Sequence, residues 1–357
     1  MENLLVNKVA AVKEVRQAAK YQKKKQACIL TGLAGSSKPV FFAAADKLLG
    51  GKGSMAFITA SREEIRTYRR ELNYLYPDLP MQELYPVSLP RVQADTQSLE
   101  LQAGRAAALR FLSGEERGIV FITAEALQQK QLRPSGMSGK ALQLAVGEVY
   151  EQRAVAATLL DLGYERTEQV DALGQFCLRG DILDVYPINA SAPIRIEWFD
   201  NELDAMRSFD VDTQRSLQTL RSVKIAPLKV DESFSYDADI FEYCAADALV
   251  VVDEPVHVFS MLEKLDKENK LHSAELFGKQ EIIEQLAVNG VMLVSALGHS
   301  YLQQLPTLNI PVRAVAPYNK NTNLLVEDLQ SWLVEGITPL IMLSSSVKAR
   351  GFADNLQ

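Results

Sequence analysis

Short apolar runs that alternate with helical patterns set the strongest limit on what this chain can fold into. Gln26–Thr31 (QACILT), Met55–Ala60 and Gly118–Thr123 (GIVFIT) each read as a buried strand, with Met81–Tyr85 as a possible further one. Helices fit between them: an amphipathic stretch within residues 1–25, Pro39–Leu49, a helix through Tyr76 opened by a capping box of Ser61 and Glu64, about Ala94–Leu112, and Ala124–Leu132. A loop bracketed by Pro86 and Pro90 precedes the long helix, and Pro134–Gly139 (PSGMSG) reads as a linker. From Ala141 the pattern changes. LQLAVGE is strand-like, Tyr150–Leu162 is a helix ending at Gly163, and strands and turns dominate to about Ile225. Alternation then returns with buried strands at Ala248–Val252, Val291–Ser295 and Pro339–Leu343. The expectation is a parallel-sheet α/β domain in two chain segments, residues 1–140 and 228–357, with a small α+β domain, residues 141–227, inserted between them.

Within the middle domain, Phe176–Asp200 (FCLRGDILDVYPINASAPIRIEWFD) holds two short strands and an unusual outward face. Ile194, Ile196 and Trp198 alternate with Arg195, Glu197 and Phe199, so one face is apolar and the other carries a guanidinium and an aromatic ring. Arg and aromatic residues are typical interface anchors. The plain alternative is a half-buried strand whose Phe199 tucks under a loop and whose Arg195 pairs with Glu197 or Asp200.

The chain has 357 residues, 47% hydrophobic and 23% charged, enough for two or three domains with substantial cores. No apolar run approaches the roughly 20 residues needed to cross a bilayer, and the amino-terminal charges follow the apolar residues, unlike a signal peptide. Cys28, Cys177 and Cys244 are odd in number and lie in apolar stretches, which suits reduced thiols in a cytoplasmic protein. No CxxC motif occurs, and His257, His272 and His299 lack metal-ligand spacing, so no metal site is expected. The net charge of -7 argues against an autonomous nucleic-acid binder. Lys20, Lys23, Lys24 and Lys25 fall at a helix end, where cations are favoured anyway.

Strand, glycine loop and helix follow one another at Gln26–Leu49, the order of a phosphate-binding loop, but the residues depart from GxxxxGK[ST]. In the frame Gly32, Leu33, Ala34, Gly35, Ser36, Ser37, Lys38, Pro39, a serine stands where the second glycine belongs and a proline where a metal-binding hydroxyl belongs. Pro39 supplies neither hydroxyl nor N–H and suits the first position of a helix. Leu249–Glu254 (LVVVDE) ends in the acidic pair Asp253 and Glu254, which in a working site would hold magnesium but which also occurs as an ordinary solvated strand end. Gly32, Gly35, Ser37, Lys38, Pro39, Asp253 and Glu254 are therefore expected to form a degenerate nucleotide site without catalysis.

FCLRGDILDVYP, PIRIEWFD and NELDAMRSFDVDTQRS together resemble the UvrB-homology module, shared by the excision-repair protein UvrB and, more closely, by the bacterial transcription-repair coupling factors. The resemblance implies a P-loop-like, UvrB/helicase-like α/β fold carrying an inserted domain that docks onto UvrA. It assigns that docking to Arg179, Arg195 and Phe199. From its place on the outward strand face, Arg195 is expected to be a surface residue whose loss leaves folding nearly untouched. It further implies a non-catalytic recruiting module. ATP and magnesium are confined to motor domains outside this chain, and RNA polymerase contact likewise belongs to other domains. DNA contact is expected to be weak or indirect, since Met81–Gln97 leaves no room for the aromatic-rich hairpin by which UvrB engages DNA. The alternative is an ATP-dependent enzyme handling DNA damage in the manner of UvrB.

Overall fold

The computed structural model describes residues 4–89, 99–134, 141–228, 236–296, 304–310, 312, 315, 318, 321–339, 341, 343 and 345–354. Contacts group Met1–Val312 into one compact unit and Arg313–Gln357 into a second.

In the first unit the fully apolar runs become a parallel seven-stranded sheet. Its strands are β1 (Cys28–Thr31), β2 (Met55–Thr59), β3 (Met81–Leu84), β4 (Ile119–Thr123), β15 (Leu249–Asp253), β16 (Met292–Ser295) and β17 (Thr307–Asn309), in the spatial order β17-β1-β16-β15-β2-β4-β3. All six pairings are parallel, so both faces must be covered, and every residue of β2, β4, β15 and β16 is buried. One face packs Phe41, Phe42, Phe57, Tyr68 and Phe121 under α3 (Ser37–Leu49) and α4 (Arg62–Leu75). The other packs Ile58, Leu112, Val252, Phe259 and Leu293. The capping box expected of Ser61 and Glu64 opens α4, with Ser61 N–H donating to Glu64 at 3.1 Å.

Three expectations change in detail. The first amphipathic helix is two, α1 (Leu4–Ala10) and α2 (Lys13–Lys23), because Val12 is extended and interrupts the ladder of bonds. The helix after β4, α6 (Ala124–Gln128), stops early, and β5 (Gln131–Leu132) pairs instead with β14 (Tyr236–Ala238). No strand is described at Pro339–Leu343, where residues 340 and 342 lie outside the described residues, as does all of the expected linker after Pro134. The Met81–Gln97 loop is described only to residue 89. There Tyr85 takes the Arg62 guanidinium over its ring at 5.0 Å, a packing role.

The stretch between β4 and β15 builds a second layer. Strands β7 (Glu165–Arg166), β8 (Gln175–Arg179), β9 (Ile182–Val185), β10 (Ile194–Phe199), β11 (Glu202–Phe209) and β12 (Ser216–Thr219) form one six-stranded sheet in the order β12-β11-β10-β9-β8-β7. All its pairs are antiparallel except β7 with β8. The helix Gln152–Asp161 covers its apolar face, packing Val155, Ala156 and Leu159 with Phe176, Leu183, Ile196, Trp198 and Met206. Chain entry and exit are joined by an antiparallel ribbon of β6 (Leu142–Ala145) and β13 (Ser222–Ile225). Helix α5 (Leu99–Ser113) reaches this layer through Arg110, whose guanidinium donates to the Asn189 carbonyl.

The second unit contains helices Thr322–Val334 and Ser346–Asp354, neither with a buried residue; Asn321 caps the first by accepting from Leu324 N–H at 3.2 Å. Among the described residues no helix is long and apolar enough to cross a membrane.

Candidate functional site

The sheet β7–β12 turns a polar face away from its core. Ile194, Ile196 and Trp198 are buried on the inner side, and Trp198 Nε1 donates to the Tyr150 carbonyl at 3.0 Å. On the outer side Arg195, Asp184 and Cys177 are cross-strand neighbours in register. Arg195 Nε and Nη2 donate to the two carboxylate oxygens of Asp184 at 2.7 and 2.8 Å, and Nη2 also reaches Gln214 at 3.1 Å. Its guanidinium stacks 4.7 Å from the Phe209 ring centroid. Arg179 Nη2 donates to the same Asp184 at 3.0 Å. The Asp184 side chain is 3% exposed, and that of Arg195 17%.

This corrects the reading of Arg195 as a surface residue dispensable for folding. A buried carboxylate left without its fork of donors loses interactions that desolvation makes costly, so Arg195 contributes to stability as well as to the face. Neither Glu197 nor Asp200 is its partner, since Glu197 pairs with Arg207. Nor does Phe199 tuck under a loop: it is 75% exposed at the end of β10. The next residue, Asp200, has φ +54 and closes a tight turn into β11. Arg179 stands at the matching end of β8, where Gly180 takes φ +56; open space surrounds the Cβ position of that glycine, so the backbone angle is what favours glycine there. The structure thus brings Arg179 and Arg195 together on one carboxylate and puts Phe199 four residues beyond Arg195 on the same face of β10.

Asp184, Gln214 and Arg207 complete this face and escaped the sequence reading. A charge inside the apolar run ILDV was the available signal, but the eight residues separating β9 from β10 conceal which arginine lies opposite.

The phosphate-loop frame follows β1. Gly32 has φ +85, and a Cβ there would meet the Ile310 carbonyl oxygen at 2.6 Å, so only glycine fits. The loop closes on itself: Ser37 Oγ donates to the Ala34 carbonyl at 2.7 Å and accepts from Ala34 N–H at 3.0 Å. Helix α3 begins at Ser37, so Pro39 occupies its third position and not its first; the missing N–H is still tolerated in that turn. Lys38 Nζ lies between the acidic pair, 2.7 Å from Asp253 and 2.9 Å from Glu254. Glu254 adopts φ +42 before Pro255 and accepts from Ala296 N–H at 3.1 Å. Burial and then the Asp253 and Glu254 charges push the Tyr68 phenol up. Burial lowers the Lys38 pKa, but hydrogen bonds and charges from the two carboxylates outweigh it, so the net shift is upward.

An upward shift on a cation means that the contribution of Lys38 is present below its ordinary value of 10.5 and fades as pH rises through the higher folded value. Lys38→Met is accordingly expected to lower unfolding free energy by about 1 to 3 kcal/mol at neutral pH. Denaturant titrations of both proteins would show the gap constant to about pH 10 and narrowing above it. A gap absent at pH 7 would refute the role.

Burial pushes the Cys28 and Cys244 thiols up to about 12 each, which leaves them as unreactive packing groups. No group of His, Cys, Asp and Glu able to hold a metal occurs among the described residues.

A small sheet presenting arginines and an exposed ring on a rigid hairpin, carried by an α/β layer, is the build of a protein-interaction domain. Residues 142–230 match the family model of the UvrB interaction domain. The chain is 34% identical to the transcription-repair-coupling factor of Bacillus subtilis (strain 168) over 203 residues, 56% of this chain and 17% of that protein. It is 27% identical to the Escherichia coli (strain K12) transcription-repair-coupling factor over 165 residues, 46% of this chain and 14% of that protein. It is 31% identical to one from Staphylococcus epidermidis (strain ATCC 35984) over 199 residues, 55% of this chain and 17% of that protein. The resemblance read from the sequence holds: residues 142–230 match the UvrB interaction domain and about half of the chain is similar to transcription-repair-coupling factors, the matches spanning only 14 to 17% of the length of these relatives.

Proposed function

We propose that this chain is a non-catalytic interaction module that recruits UvrA to initiate transcription-coupled nucleotide-excision repair, with residues 141–227 as the inserted docking domain. The observation that carries the reading is the outer face of β8–β10, where Asp184 fixes two arginines beside an exposed Phe199. Fixing matters because a guanidinium already held in place gives up less side-chain freedom on binding. Arg195 Nε and Nη2 are taken by Asp184 and Gln214, and its remaining Nη1 has no partner among the described residues. That nitrogen can orient an acceptor on the partner while the Phe199 ring supplies buried area.

The phosphate-loop frame is read as scaffold. Ser37 turns its hydroxyl inward, Pro39 offers no ligand, and Lys38 is neutralised by Asp253 and Glu254, so the residues do not fit a magnesium nucleotide. ATP-driven movement and RNA polymerase contact are assigned to other domains of a longer parent, and DNA contact by this chain to weak, charge-driven encounter at most. Calorimetric titration of the chain with UvrA tests the proposal, with saturable binding the expected result and no heat at micromolar concentrations the result against it. Phosphate release from Mg-ATP that disappears in Lys38→Ala would favour a UvrB-like ATP-dependent enzyme instead.

A further inference from the structure

We infer that the docking surface extends one strand beyond Phe199, to a row formed by Phe199, Glu202 and Val149, and that its UvrA-type partner meets this row with an apolar surface carrying a cation. The inference rests on the docking role proposed above for Phe199. Phe199 and Glu202 are the closing pair of the β10–β11 hairpin, and Glu202 forms an antiparallel bridge with Val149 on its other side. Directly opposed residues of neighbouring strands project to one face with Cβ atoms roughly 5 Å apart. A ring, a carboxylate and an aliphatic side chain therefore stand in one line about 10 Å long.

The row is rigidly held. Gly147 N–H donates to the Leu203 carbonyl at 2.8 Å, Leu203 N–H to Glu148 at 2.9 Å and Tyr150 N–H to Asn201 at 2.9 Å, which ties residues 147–150 along the edge of β11. Val149 is 71% exposed on this fixed backbone, nearly as far out as Phe199. Glu202 is exposed and forms no ion pair or side-chain hydrogen bond among the described residues. All three residues lie within the stretch matched by the UvrB interaction domain, whereas the exposed Leu4, Tyr74, Leu271 and Val288 do not.

The carboxylate decides the chemistry of the partner. A protein that covers Phe199 and Val149 with apolar groups also removes water from Glu202 between them, and a carboxylate so covered needs a cation opposite it. An apolar partner surface lacking that cation would reject this row, so Glu202 sets specificity while the flanking side chains add area.

Glu202→Lys, Glu202→Gln, Val149→Ser and Phe199→Ala are titrated with UvrA beside the wild-type chain, with melting temperatures recorded to confirm folding. Glu202→Lys is expected to bind roughly tenfold or more weakly, through slower association and with a deficit that shrinks at high salt. Glu202→Gln and Val149→Ser are each expected to bind about three- to tenfold more weakly. If Phe199→Ala loses binding while Glu202→Lys and Val149→Ser bind as wild type, the extended row is wrong and the docking reading stands. If Phe199→Ala also binds as wild type, or the wild-type chain does not bind, the docking reading itself falls and the row with it.

Discussion

Phe199→Ala is expected to weaken UvrA binding by about 2 to 4 kcal/mol, roughly 30- to 1,000-fold, while the melting temperature stays at the wild-type value. The two halves of this expectation come from one fact, the 75% exposure of the ring. A side chain so far from the core adds little to folding, and an aromatic ring standing clear of a rigid turn is the group with most area left to bury on association. If Phe199 were a packing residue the pattern would reverse, with a lower melting temperature and unchanged affinity. Calorimetry and thermal melts on the same preparation separate the two.

Arg195→Ala is expected to behave differently, lowering both affinity and unfolding free energy, the latter by about 1 to 3 kcal/mol. The loss is expected to be moderated by Arg179, which donates to the same Asp184 at 3.0 Å in the unsubstituted chain. In a double-mutant cycle Arg195→Ala and Asp184→Ala should be strongly non-additive, with a coupling of about 1 to 3 kcal/mol, because each deletion removes the same charge-assisted fork. Unfolding free energy within about 0.5 kcal/mol of wild type in Arg195→Ala would return the residue to the status of an ordinary surface group.

The contrast between these residues marks how far the sequence could be read. Alternation along IRIEWF was enough to put Arg195 and Phe199 on one face, because period two is a local property of a strand. What each side chain does there depends on the neighbouring strand, and the register of β9 against β10 is fixed only when the hairpin closes over its long loop. The pairing of Asp184 with Arg195 was invisible for that reason. The parallel strands were legible because burial on both faces leaves unbroken apolar runs. By contrast β17 (TLN) and the two-residue β5 carry no such run and are held by their neighbours. The frame Gly32–Pro39 was legible as a loop and helix start, yet the placing of Lys38 between Asp253 and Glu254 joins residues more than two hundred positions apart.

The ribbon of β6 and β13 has a mechanical consequence. Leu142 pairs with Ile225 where the chain enters and leaves the smaller sheet, and Ala145 pairs with Ser222 at the far end. A pull on the docking face directed along this ribbon stretches both strands in the same sense and divides the tension between two covalent paths. The hydrogen bonds between the strands lie across that direction and carry little of it. A partner held at Phe199, as proposed, would be tethered by a two-stranded leash, which resists being peeled open when the load comes along its length.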